Sequence, residues 1–132
     1  MNNVFLIGTS EVVGKLGIDF YASVLPPGVE SHEVLPGRFS AEHGSSSVYF
    51  EALKSVEEVY SSKEIRQLHR RFEADDIAVI DIEYSGDLIY SVLENIARNY
   101  PDVLLDLDNG EIKRAVDVGA LIAQKPDYRI HS

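Results

Sequence analysis

The stretch Asp76–Gly110, DIAVIDIEYSGDLIYSVLENIARNYPDVLLDLDNG, switches between two hydrophobic periods and carries a stop signal at each switch. Ile77 to Tyr84 is rich in β-branched residues, and in its second half Ile80, Ile82 and Tyr84 alternate with Asp81 and Glu83. That is the pattern of a half-buried strand. Ser85-Gly86-Asp87 interrupts it and offers Ser85 or Asp87 as an N-cap, whose oxygen accepts an orphan amide proton of the first helical turn. Leu88, Ile89, Val92, Leu93, Ile96 and Tyr100 then recur at helical spacing and form one stripe. Pro101 ends the helix, because the residue before a proline is pushed out of the helical region. Burying this stripe is worth on the order of 10 kcal/mol gross, at roughly 1.5–3 kcal/mol per side chain. The helix is therefore expected to be the structural spine.

Val103 to Asp108 follows at once, apolar first and alternating later, and Asn109-Gly110 is a turn signal. The whole reads as a β-α-β unit at about 77–108. If its strands share a sheet through that helix they run parallel with a right-handed crossover. Asp81 and Glu83 then lie near the carboxyl end of one strand and Asp106 and Asp108 near the same end of the other, so four acids are expected at one edge.

The chain has 132 residues, a length that suits one domain over 1–132 with a substantial core. The fold expected is α/β, with α+β as the variant: a mixed sheet and two or three flanking helices. Cysteine is absent, which removes disulfides and thiolate metal sites. MNNVFLIGTS lacks the basic start of a signal peptide, and no apolar run reaches the roughly 18 residues of a membrane span, so a cytoplasmic location is expected. The net charge of −10, from 22 acids against 12 bases, argues against nucleic acid and against anionic membranes as partners. It favours a basic partner, since complementary potential speeds association; the alternative is that acidity serves solubility alone.

Along the rest of the chain, Val4 to Ile7 reads as a strand and Ile18 to Leu25 as a strand or a short helix. Gly8 with Gly14-Lys15 misses the phosphate-loop pattern, because five residues separate the glycines and Leu16 stands where a hydroxyl is needed. Residues 26–47 hold three prolines, Gly28, Gly37, Gly44 and three serines in a row, and are expected to be loop. His32 and His43 lie there without metal-ligand spacing. Val48-Tyr49-Phe50 is strand-like and extends toward Leu53, while Val56, Val59 and Tyr60 fit either a continuing strand or a helix start. Ser61 with Glu64 is a capping box opening a helix whose buried stripe is Ile65, Leu68 and Phe72. Lys63, Arg66, Arg70 and Arg71 fall largely outside that stripe, either as an anion contact or as a solvated face paired with the protein's own acids. After Ile112, Ala115 to Ile122 suggests a closing helix that ends before Pro126, with Asp127–Ile130 packing back or fraying.

Clustered carboxylates repel, and relief comes from a cation, raised proton affinity, a basic partner or water. A metal-dependent phosphohydrolase is one reading, and Val103–Gly110 does look like the nucleophile motif of haloacid-dehalogenase-like phosphatases. Asn109 and Gly110 replace that family's Gly and Thr, however, and the 22 residues that follow are too few for its later motifs. An EF-hand fails because Leu105 and Leu107 occupy ligand positions. No metal and no cofactor is expected. Length, acidity, the absence of cysteine and the segment Asn99–Ile112 followed by a closing helix make the chain similar to small acidic immunity proteins encoded beside bacterial polymorphic or contact-dependent growth inhibition toxins. The resemblance implies a non-enzymatic protein that neutralises one cognate toxin by covering its active site or an exosite. The charged contact set expected is Asp81, Glu83, Asp106, Asp108 and Glu111. A third reading is a scaffolding domain, with Tyr21, Tyr49 and Tyr128 as interface candidates among seven tyrosines.

Overall fold

The computed structural model describes residues 2–13, 18–73, 76–108, 111–125 and 127–130. Strand β1 (Asn2–Thr9) leads into the short helices α1 (Ser10–Val13) and α2 (Ile18–Val24). Three strands follow, β2 (Ser31–Leu35), β3 (Arg38–His43) and β4 (Ser46–Ala52), then a 3-10 turn at Val56–Glu58 and helix α3 (Ser62–Phe72). The chain closes with β5 (Ile77–Ser85), α4 (Leu88–Asn99), β6 (Leu104–Asp106), β7 (Ile112–Arg114) and α5 (Ala115–Gln124). The result is an α/β domain built on one seven-stranded sheet of order β2-β3-β4-β5-β1-β6-β7.

The β-α-β unit is present as β5-α4-β6, and its strands run in the same direction. They are not neighbours. β1 lies between them and pairs antiparallel with both, and every described pairing in the sheet is antiparallel where a mixed sheet was expected. The reason is in β1 itself. Its apolar run buries Val4 and Leu6 in one cluster and Ile7 in the other, so it needs cover on both faces and takes the middle of the sheet.

One sheet face carries the main core. Leu88, Ile89, Val92, Leu93 and Ile96 of α4 are buried with Val4, Leu6, Ile80, Ile82 and Leu105 of the strands. Tyr21 of α2 stacks on Phe50 at 4.8 Å between ring centres and lies 4.6 Å from Phe39, which makes it a core residue rather than an interface candidate. Gly119 of α5 faces Ala97 of α4 so closely that any larger residue there would meet the Ala97 side chain. Ile130 is buried in the same core, so the tail packs back. Asp87 occupies the N-cap position of α4 without a side-chain cap bond; its N–H donates instead to Ser46 Oγ at 3.0 Å.

Residues 26–47 contain two strands in place of the expected loop. Pro36-Gly37 and Gly44-Ser45 are the turns of successive hairpins, both glycines with positive φ, so the breakers punctuate strands and do not replace them. Ile18–Val24 is helical, and Val56–Glu58 is a turn of 3-10 helix, the helical alternative rather than a continued strand. The expected second strand of the central unit is shortened to Leu104–Asp106, and β7 was not anticipated. Gly14, Lys15, Leu16, Asn109, Gly110 and Pro126, singled out in the sequence, lie outside the described residues. Among the described residues no helix is long and apolar enough to cross a membrane.

Candidate functional site: an acidic sheet face

The second sheet face is covered over only part of its area. There α3 and the 3-10 turn bury Leu68 and Tyr60 against Ile7, Ile77, Val79 and Leu104. The capping box that starts α3 is formed in both directions: Glu64 N–H donates to Ser61 Oγ at 3.3 Å, and Ser61 N–H to Glu64 Oε1 at 3.0 Å. The Ser61 amide holds the Glu64 carboxyl below its ordinary range.

Residues directly opposite in a sheet point to the same side. The registers therefore place Arg38, Glu51, Asp81, Phe5, Asp106 and Ile112 in one row across six strands. A second row beside it holds Ser40, Tyr49, Glu83 and Asn3. Beyond Tyr49 the surface continues into an open depression of about 500 Å³ lined by Glu30, His32, Ser40 and Glu42 among others. Four carboxylates thus stand on these two rows against the single guanidinium of Arg38.

Each acid is held differently. Asn3 Nδ2 donates to Asp81 Oδ1 at 2.7 Å, and Asp81 is half-buried. Burial pushes its carboxyl above the usual range; the Asn3 bond opposes this, and Glu83 and Glu51 add to it. Arg38 reaches Glu83 at 3.2 Å and Glu51 at 3.4 Å, and its guanidinium lies 5.2 Å from the centre of the Tyr49 ring. Asp106 accepts a 2.6 Å bond from the buried Tyr60 hydroxyl and a 2.9 Å bond from the Asp108 amide. Burial, and then the bond to Asp106, drive the Tyr60 phenol far above its ordinary value. Tyr60 also meets Phe5 edge-on at 6.4 Å.

Of the five acids singled out in the sequence, Asp81, Glu83 and Asp106 share this face, while Asp108 and Glu111 lie on the connection between β6 and β7. Asp108 is exposed with a φ of 57°, and Glu111 comes within 3.9 Å of Lys113. The expected cluster of four at one edge is thereby opened out. With β1 inserted, Asp81 and Asp106 stand about 10 Å apart, two strand spacings. At that distance their repulsion is roughly 0.4 kcal/mol in water and about 1.7 kcal/mol at an effective dielectric of 20. Among the described residues no three His, Asp or Glu side chains come together as a metal-holding group.

Glu51 and Arg38 belong to the site although the sequence does not single them out. The alternation Ser47-Tyr49-Glu51 was available in the sequence, but nothing local says that this strand lies beside β5. His32 and His43 are exposed, and an apolar cavity of about 260 Å³ lies at the other end of β1, lined by Val12, Phe72, Tyr100 and Pro101 among others. No protein-family model matches this chain, and no curated protein or solved structure does either.

Proposed function

We propose that this chain is a non-catalytic immunity protein of the cytoplasm that binds a basic domain of a cognate bacterial toxin and neutralises it. One observation carries the reading: an open part of a sheet face on which Glu51, Asp81 and Glu83, with Asp106 at its border, outnumber Arg38. The carboxylates project from a rigid sheet, and Asp81 and Asp106 are oriented by the neutral donors Asn3 and Tyr60, which leave their charge uncancelled. Pre-oriented charge of one sign accelerates the encounter with a surface of the other sign and costs little ordering on binding. The overall charge of −10 extends the same field beyond the contact. Asp108 and Glu111, on the connection between β6 and β7, complete the proposed contact set.

The test is protection of growth. The protein encoded beside this one, expressed in a bacterium, should arrest growth, and co-expression of this chain should restore it. A variant carrying Glu51→Gln, Asp81→Asn and Glu83→Gln should protect less at matched expression. Full protection by that variant would remove the acidic face from the mechanism, and a harmless neighbour would remove the toxin.

A further inference from the structure

The same sheet face that carries the acids carries a basic ridge. On α3, Lys63, Arg66 and Arg70 lie three and four residues apart, on the side opposite the buried stripe of Ile65, Leu68 and Phe72. All three cations are exposed, and none forms an ion pair among the described residues. Since Leu68 is the side of α3 buried against Ile7, Ile77, Val79 and Leu104, the cations point away from the sheet. A helix packed on a sheet stands about 10 Å above it. The face therefore has a raised cationic half and, next to it, a recessed half of net negative charge floored by Glu51, Asp81 and Glu83, with Arg38 lying between Glu51 and Glu83 and pairing with both.

Two complementary patches side by side on one surface meet their opposites when a second copy is turned about a two-fold axis running between them. We propose that this chain forms such a two-fold dimer, the α3 ridge of each copy seated in the acidic recess of the other. Shape and charge are satisfied together: ridge enters recess, and Lys63, Arg66 and Arg70 approach Glu51, Glu83 and Asp81 of the second copy. The contact is used twice, which offsets the repulsion between two chains of charge −10. This inference does not depend on the toxin reading. A basic toxin domain and a second copy would compete for the same recess, so the dimer would be the resting form that a tighter cationic partner displaces.

Sedimentation equilibrium of the full chain tests it. The wild type should show a concentration-dependent dimer at low salt that weakens steeply at high salt, where charges are screened within a few ångströms. Arg66→Glu with Arg70→Glu should sediment as a monomer, its apparent affinity lowered roughly a hundredfold by like charges brought together. Glu51→Lys with Glu83→Lys should also be monomeric. Mixed one to one, the two variants should dimerise again, because both contacts in the mixed pair are then complementary; recovery also shows that both variants are folded. A wild type that stays monomeric at every concentration and salt, a dimer indifferent to the α3 reversal, or a mixture that stays monomeric would overturn the proposal.

Discussion

Asp81 and Asp106 stand level with each other on either side of Phe5, one on each flank of β1, yet they are held by different means. Asp81 leans on the amide of Asn3, while Asp106 is gripped by the buried Tyr60 hydroxyl and by the Asp108 amide. The second acid is thus a structural joint between the sheet and the 3-10 turn as well as a surface charge. Neutralising it to probe binding would disturb that joint, whereas substituting Glu51 and Glu83 frees only the Arg38 guanidinium.

Replacing Tyr60 with Phe keeps the ring against Phe5 and removes only the bond to Asp106. A hydrogen bond to a charged group contributes about 1.5–3 kcal/mol, so the urea midpoint should fall by that equivalent with an unchanged slope. The phenol's proton affinity is raised in the folded state, so its contribution is complete below the unfolded value of 10.0 and is lost as pH climbs above it. Wild type and Tyr60→Phe should therefore converge in stability above pH 10.

For Asp81 the sign is the same but the window lies in acid, so at neutral pH the stabilising form is gone. Its carboxyl binds a proton more tightly in the folded chain, chiefly through burial, so the protonated form stabilises the fold. That contribution is complete below the unfolded value of 3.8 and is lost as pH rises through the folded one. Asp81→Asn retains an oxygen for Asn3 and should raise the denaturation midpoint at pH 7, with no gain in acid. Equal effects at both pH values would show that burial of the charge is not what matters at this position.

Gly86 joins β5 to α4 with a φ of 82°, and a Cβ there would strike the Ser46 side chain of β4. Gly86→Ala combines left-handed strain of about 1–3 kcal/mol with displacement of the serine that accepts from the Asp87 amide. Thermal unfolding should show a clear loss of Tm. Gly28→Ala has the same backbone problem but open space around it, so it should cost less.

The legible parts of the sequence were those governed by local period. The alternation of Ile80, Ile82 and Tyr84, the stripe from Leu88 to Ile96 and the Ser61–Glu64 capping box appear in the structure as read. Long-range pairing was not legible: that Phe5 would face both Asp81 and Asp106 depends on which strand needs burial on two sides, a property of the finished sheet. Residues 26–47 read as loop in the sequence because Pro36-Gly37 and Gly44-Ser45 are turn signals in hairpins as much as in loops, and the exposed strand β2 has no buried face. For the site, Asp81, Glu83 and Asp106 could be named from strand alternation, but their partners Asn3, Arg38 and Tyr60 come from distant segments and carry no local signature.

The proposed function depends on the excess of carboxylates in the open part of the sheet face beside α3, and association kinetics report on the field they set. Stopped-flow mixing of this chain with the proposed toxin partner, the product of the neighbouring reading frame, over a series of salt concentrations should give a rate constant that falls steeply as salt rises. Glu51→Gln with Glu83→Gln should lower the rate about tenfold at low salt and flatten its salt dependence, with a smaller change in dissociation. An association rate that ignores both salt and these substitutions would contradict the reading.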